Sequence, residues 1–334
     1  MIELVGDFIR TMTIDGEINS DSRITLKTNQ TEILGRGSED YIISLRKSIL
    51  QNKTMNYRVP EMWDREWNHR IGPIWAPDSV SDSTLQCWLK PEQFQEDTDG
   101  TEYSAANDSS SNSVNFTQSS TSLMPDIGSK GLNGFKPLDY NGSHELFATA
   151  ADGNAVFSVG TTNFMCIMVV TTPVDGNEKD VLIQHGNRTD SGYMRIYLDS
   201  TSSNTNIVLG TSSGIAFEST ATSAFSFSTS HIITVGKDSS GVIRVDGSDK
   251  SASGTPQSIS STDDTMLGMG YSGTSGTSEL GFNGDIYEVV FIKETDTILN
   301  DVKKIEGYLS AKYGIDLDSG HDYYNNPPRT TVIE

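Results

Sequence analysis

The chain is expected to fold mainly as an all-β protein. The predicted architecture is an antiparallel two-sheet jelly-roll sandwich with one closing C-terminal helix, preceded by a small α+β N-terminal region. Three observations predict it. Thr, Ser, Asn and Gly are abundant, a mix that suits short strands joined by polar turns. From Ser83 onward short apolar runs recur at near-regular intervals, separated by turn clusters such as Asp175-Gly176-Asn177 and Asp246-Gly247. Strands do not alternate with helices, which argues against a parallel α/β sheet.

Residues 1–75 read differently from the rest. Asp15-Gly16 is a tight-turn dipeptide between Thr11–Ile14 and Glu17-Ile18, and Arg23–Lys27 alternates polar and apolar residues, so short strands and a hairpin are expected. Ser38-Glu39-Asp40 has the capping hydroxyl and acids of a helix start. Ile42, Leu45 and Ile49 follow at helical spacing, which predicts an amphipathic helix over 39–52. Next comes a segment bearing Trp63, Arg65, Trp67, Arg70 and Trp75, broken by Gly72-Pro73. Trp and Arg are enriched where proteins touch, so these five are the expected protein-contact or anchoring residues. The alternative is that the tryptophans pack this arm onto the sandwich.

Within 76–317 the strands are expected at Leu85–Leu89, Lys136–Tyr140, Ala155–Val159, Phe164–Thr171, Val181–His185, Tyr193–Asp199, Asn206–Leu209, Ile215–Glu218, His231–Val235, Val242–Val245, Thr265–Met269 and Asp285–Lys293. Residues 96–122 are rich in Asp, Ser, Asn and Thr and read as a long polar loop. One helix follows, with Asn300 as its cap, Val302, Ile305 and Leu309 on one face, and Gly314 as a left-handed stop. The tail over 318–334 is expected to be extended, and ordered only where something holds it down. The predicted organisation is an anchoring or assembly region over 1–75, a sandwich over 76–317 and that tail.

The net charge is −21, divided unevenly. Residues 1–75 carry 10 Lys/Arg and 11 Asp/Glu, whereas 76–334 carry 14 and 34. A body this acidic repels phosphate backbones, so nucleic acid is not an expected partner. No apolar run approaches membrane-span length, and insertion into a membrane is not expected. Met1-Ile2-Glu3-Leu4 lacks a basic start before an apolar core, so no signal peptide is expected. Cys87 and Cys166 lie in apolar stretches and are expected to be buried free thiols.

Two stretches carry a family resemblance. One is Leu85-Gln86-Cys87-Trp88-Leu89-Lys90-Pro91, followed by Asn133-Gly134-Phe135-Lys136-Pro137-Leu138-Asp139-Tyr140-Asn141-Gly142-Ser143. The other is Phe282-Asn283-Gly284-Asp285-Ile286-Tyr287-Glu288, then Ile305-Glu306-Gly307-Tyr308-Leu309-Ser310-Ala311-Lys312-Tyr313-Gly314. Together they resemble the LamG-like, concanavalin A-type jelly-roll modules, bracketing residues 83–316. The resemblance implies a module that binds glycans or proteins, or packs as a structural piece, as such modules do in phage virion proteins and bacterial surface proteins.

Catalysis is not expected. Glycosidases of this fold place paired carboxylates on one strand as Glu-x-Asp-x-x-Glu, and the chain lacks that run. Strict alternation would put Asp285 and Glu288 on opposite faces. No Ser sits in a Gly-x-Ser-x-Gly elbow, and neither His185 near Asp190 nor His144 beside Glu145 makes a triad signature. No cofactor is expected beyond a structural Ca²⁺, for which Asp175, Asn177 and Asp180 supply oxygens. The expected function is a non-enzymatic virion component, a capsid decoration module assembled in the host cytoplasm and displayed through residues 1–75. Its partners would be other virion proteins or further copies of itself. The alternative is a tail-associated or surface adhesin that binds a host glycan, with Tyr193, Tyr271 and Tyr287 as stacking platforms. A glycoside hydrolase is the second alternative.

Overall fold

The computed structural model describes residues 2–5, 24–28 and 31–34 and, within 75–328, all but 82, 130, 174–179, 188–191, 202–203, 212–214, 219–223, 251, 253–257, 271–280 and 295–297. The chain divides into two units, one of residues 1–73 with 330–334 and one of 74–329. In the first, strands β1 (Ile2–Val5), β2 (Ile24–Thr28) and β3 (Thr31–Leu34) form a sheet, parallel between β1 and β2 and antiparallel between β2 and β3. The expected Asp15-Gly16 hairpin, the helix over 39–52 and the contact residues Trp63, Arg65, Trp67 and Arg70 lie outside the described residues.

The second unit begins with β4 (Leu85–Glu96), β5 (Tyr103–Asp108), β6 (Phe116–Thr117), β7 (Asp126–Ile127), β8 (Leu138–Asn141) and β9 (Leu146–Ala148). Helix α1 (Ala150–Phe157) leads to β10 (Asn163–Thr171), β11 (Asp180–His185), β12 (Met194–Thr201), β13 (Asn204–Thr211) and β14 (Ile215–Glu218). Then come β15 (Ser230–Asp238), β16 (Ser240–Val245), β17 (Ser248–Asp249), β18 (Thr265–Leu267), β19 (Asn283–Glu294) and helix α2 (Leu299–Tyr313). Hydrogen bonding follows one path, β14-β13-β12-β11-β18-β9-β6-β5-β4-β19-β10-β15-β16-β17, with β8 beside β19 and β7 beside β8. The path doubles back through long β4, whose register with β5 breaks between Leu89 and Phe94. The two halves therefore pack face to face as the predicted sandwich.

Alternation along β10 shows how the layers are divided. Phe164, Cys166, Met168 and Val170 point into the core between the sheets, where they meet Leu182, Ile196 and Leu209 of the opposite sheet. Met165, Ile167 and Val169 point the other way, into a second core under α2 formed with Val302, Ile305, Leu309 and Tyr313. A strand apolar on both sides is what a central position demands. Cys87 and Cys166 are buried free thiols in the inner core, and burial raises the pKa of both.

Four expectations change. Ala155–Val159 is not a strand; those residues run on from α1, which starts with Thr149 Oγ1 bonded to Asp152 Oδ2 at 2.9 Å and packs Gly153 on Thr265 without room for a Cβ. The polar stretch 96–122 is not a free loop but contains β5 and β6. Asp108 Oδ1 accepts the Trp88 and Ser110 amides and Oδ2 accepts the Val114 amide, at 2.8–2.9 Å, so its polar side chains do the backbone's bonding. Helix α2 is preceded by Ile298 rather than capped by Asn300. The parity argument for Asp285 and Glu288 also fails. Opposite β10, Val170 pairs with Ile286 but Val169 with Glu288, so Tyr287 is an extra residue in a β-bulge. Asp285, opposite Thr171, and Glu288 consequently share the outer face.

The segment after Leu317 is held down. Gly314, at φ +70°, ends α2 in the left-handed region and bonds back to Ser310 O at 2.8 Å. Ile315 and Leu317 enter the outer core, Tyr323 covers Gly307, and the Trp75 amide donates to Pro328 O at 3.0 Å. Trp75 itself is 6% exposed in the outer core, which corrects its assignment as a contact residue. Its ring lies with Val80, Leu85 and Trp88, where burial of a large aromatic stabilises most.

Gly307 gives a test. Replacing a helical Gly by Ala ordinarily stabilises by about 1 kcal/mol. Here the added Cβ would lie 2.6 Å from Tyr323 Cβ and 3.0 Å from Pro328 Cδ. Gly307→Ala is expected to destabilise by about 1–3 kcal/mol in urea denaturation, the range for overpacking.

Candidate functional site

The site begins at a two-residue hairpin. Val245 pairs with Ser248 around Asp246 (φ +49°) and Gly247 (φ +75°), the consecutive left-handed residues that a type I′ turn requires. Gly is needed twice over, because a Cβ at 247 would meet His321 Cδ2 at 2.7 Å. Asp246 then acts as a junction. Its Oδ1 accepts the Ile232 amide at 2.8 Å, its carbonyl accepts the Asp318 amide at 2.8 Å, and its Oδ2 receives His231 Nδ1 at 2.7 Å. His231 Nε2 accepts the Ser226 amide at 3.2 Å. A backbone N–H only donates, so the imidazole proton sits on Nδ1.

These groups frame an open cleft of about 360 Å³ at one end of the sandwich. Its walls are the Ala224–Ser226 loop, His231, the Asp246 turn, Lys250 and the Asp316–Asp318 strap. Phe225 and Phe227 meet edge to face at 5.8 Å, with Phe227 half-buried and Phe225 part of the inner core. The cleft thus combines carboxylates and serine hydroxyls with a lysine, while Phe225, 4% exposed, belongs to the core behind it. Both ring nitrogens of His231 are already bonded, so no lone pair is free to activate a nucleophile.

Two carboxylates of the resemblance motifs lie elsewhere, and both are occupied. Glu288, fully buried, accepts Trp88 Nε1, Lys312 Nζ and Tyr313 Oη, each at 2.6 Å. Glu306, also fully buried, accepts Arg244 Nε at 2.9 Å, Thr234 Oγ1 at 2.8 Å and His321 Nε2 at 3.0 Å. Burial alone would raise the Glu306 pKa; the His321 and Arg244 hydrogen bonds lower it below its ordinary value. These motif residues are latches that dock α2 and the strap onto the sheet.

The stacking platforms fare differently. Tyr193 and Tyr287 are each 3% exposed, which corrects their assignment as open faces for a sugar. Tyr193 lies against Gly210 and Gly186, and Tyr287 is drawn under the 131–132 backbone by the bulge. Tyr271 lies outside the described residues, as do Asp175 and Asn177 of the expected Ca²⁺ site and Asp190 beside His185. Asp180 is fully buried in β11 opposite Leu198, not on a loop open to a cation. Among the described residues no group of three His, Cys, Asp or Glu could hold a metal. The cleft was not read from the sequence. Its one signal was the Asp246-Gly247 turn; nothing in the spacing joins His231 to it.

His185 is buried between Ser158 Oγ, 3.0 Å from Nε2, and Thr265 Oγ1, 2.9 Å from Nδ1. Burial lowers its pKa to about 4. A depressed histidine contributes stability that is complete above its unfolded value of 6.5 and is lost as pH falls towards 4. In an NMR titration the His185 ring is expected to stay neutral to about pH 5, where an unperturbed histidine would be largely protonated. For the latch, Glu306→Ala leaves buried Arg244 without its main partner and is expected to cost about 3–5 kcal/mol in urea denaturation.

No family model matches the chain, and no curated protein matches its sequence. Solved structures do resemble it. An arabinofuranosidase complexed with arabinofuranosyl-α-1,2-xylobiose aligns at TM-score 0.50 and 15% identity, covering 73% of this chain and 62% of its own. A sialidase of Trypanosoma rangeli with 2,3-difluorosialic acid aligns at TM-score 0.43 and 10% identity, over 83% and 42%. Domain 4 of AbnA, a GH43 extracellular arabinanase from Geobacillus stearothermophilus in complex with arabinotriose, aligns at TM-score 0.39 and 12% identity, over 65% and 96%. The chain thus spans less than two thirds of the arabinofuranosidase it resembles, and at 15% identity the likeness concerns the fold of the sandwich alone.

Proposed function

We propose that the sandwich is a non-catalytic carbohydrate-binding module of the LamG-like, concanavalin A-type class, and that the strap cleft is where it binds. The observation that carries this reading is the cleft itself. It is concave and lined by Asp246, Asp316 and Asp318 carboxylates and by Ser226 and Ser248 hydroxyls, around a turn whose geometry is fixed. Sugars present hydroxyls that such carboxylates and hydroxyls can bond. The likeness in fold to a sugar-complexed arabinofuranosidase is in keeping with it.

The non-catalytic part is supported by the occupancy of the charged groups. A retaining or inverting glycosidase needs two carboxyl groups facing a bond across about 5–10 Å. Glu288 and Glu306 are instead saturated by fixed donors. Incubation with polysaccharides is expected to release no reducing ends.

A second reading, display on a particle, is favoured by the charge division between residues 1–75 and 76–334. A near-neutral arm suits docking, and an acidic body suits a solvated face. On this reading Trp63→Ala with Trp67→Ala would abolish co-sedimentation with empty capsids.

The binding proposal is tested on a glycan array with the full chain. Asp316→Asn together with Asp318→Asn is expected to weaken any hit at least about tenfold, the effect of removing roughly 1.4 kcal/mol. Absence of any hit, or a hit indifferent to the double substitution, would refute the cleft as the site.

A further inference from the structure

One lysine is drawn out of water. The side chain of Lys312, in the last turn of α2, is 10% exposed, whereas the lysines of the pairs Lys136–Glu96, Lys303–Asp322 and Lys304–Asp301 stand open to solvent. Aromatic rings close around its amine, with Nζ 4.9 Å from the Phe135 centroid, 5.3 Å from Tyr313 and 5.7 Å from Tyr308. Nζ ends 2.6 Å from Oε2 of Glu288, a fully buried carboxyl on β19. That places it roughly 3–3.5 Å from Cδ, the near-attack range.

The carboxyl is fitted for more than an ion pair. Trp88 Nε1 donates to Oε1 and Tyr313 Oη donates to Oε2, each at 2.6 Å. Fixed donors of this kind stabilise the oxyanion that forms when a carbonyl carbon becomes tetrahedral. A second carboxylate, exposed Glu92 of β4, reaches the same Nζ at 3.1 Å. One amine therefore touches a buried carboxyl that can accept it and a rim carboxylate that can carry its proton. Holding amine and acid together in this way is equivalent to an effective concentration of up to about 10⁵–10⁸ M, which offsets the unfavourable equilibrium of joining them in water.

We propose that Lys312 and Glu288 condense to an isopeptide bond that ties α2 covalently to β19. The ammonium first passes one proton to Glu288 Oε2, leaving a neutral amine and a neutral acid and removing both charges from the buried site. The Nζ lone pair attacks Cδ, and the carbonyl electron pair moves to Oε1, where Trp88 Nε1 bonds it. Glu92 takes a proton from the nitrogen and returns it to Oε2. The Cδ–Oε2 bond then breaks, Oε2 leaves as water, and the electron pair on Oε1 restores the carbonyl. One N–C bond forms, one C–O bond is lost, and nothing is oxidised. The Phe135, Tyr308 and Tyr313 rings keep water from reversing the step. Helix α2 is then joined to the sheet by a bond that denaturant does not undo.

This inference does not depend on the cleft. Intact-mass spectrometry of the full chain, denatured before measurement, is expected to find about 18 Da less than the linear sequence, the loss of one water. Protease mapping should then recover the Lys312 peptide joined to the Glu288 peptide. Lys312→Arg keeps a positive charge beside Glu288 but has no amine, and should restore the full mass. Glu92→Gln changes only the exposed rim, and the freshly purified variant should remain mostly unlinked, its closure slowed at least about tenfold. A wild-type chain at full mass overturns the proposal, as does a lost water that maps elsewhere, such as cyclisation at Asp246-Gly247. Should Lys312→Arg fold poorly, the wild-type map decides by itself. Glu92→Gln linked as completely as the wild type refutes the proton route through Glu92.

Discussion

A carboxylate removed from water must be surrounded by donors, and Glu306 meets that demand with groups from three places in the chain. Thr234 comes from β15, Arg244 from β16 and His321 from the strap, while Glu306 itself belongs to α2. Leaving any of these positions empty would strand a buried charge. The arrangement therefore fixes where α2 lies on the sheet, and with it the second core of Met165, Ile167, Ile305 and Leu309. The strap that forms one wall of the cleft is placed by the same carboxylate through His321. Glu288 repeats the device at the other end of the helix, through Lys312 and Tyr313.

This dependence explains what could be read from the sequence. The strands of the sandwich core were legible because burial between two sheets imposes local alternation and apolar runs, as in Phe164–Thr171 and Asp285–Lys293. Helix α2 and its Gly314 stop were legible for the same reason, since both rest on short-range spacing. The misreadings have a common origin in long-range partners. Polar residues around Asp108 suggested a loop, yet their bonds run to backbone of strands β4 and β5 and the turn after β5. Ala155–Val159 suggested a strand, but helix α1 runs to Phe157 and packs Gly153 against Thr265, a partner far along the chain. The pairing of His231 with Asp246 spans a hairpin whose geometry, not its spacing, brings them together.

The bulge at Tyr287 shows how one residue redistributes chemistry. It brings Asp285 and Glu288 to one side, and then the fold gives them opposite environments. Glu288 goes under α2 among fixed donors, whereas Asp285 remains beside other acids. Two carboxylates three residues apart are thereby made unequal, one bonded by fixed donors, the other raised in pKa by burial and by the Asp139 charge.

The bond from the Trp75 amide to Pro328 O closes the second unit into a loop in which entry and exit of the chain are neighbours. A domain with adjacent ends can be threaded into the middle of another chain without stretching its host. A pull applied through both ends therefore loads this contact first.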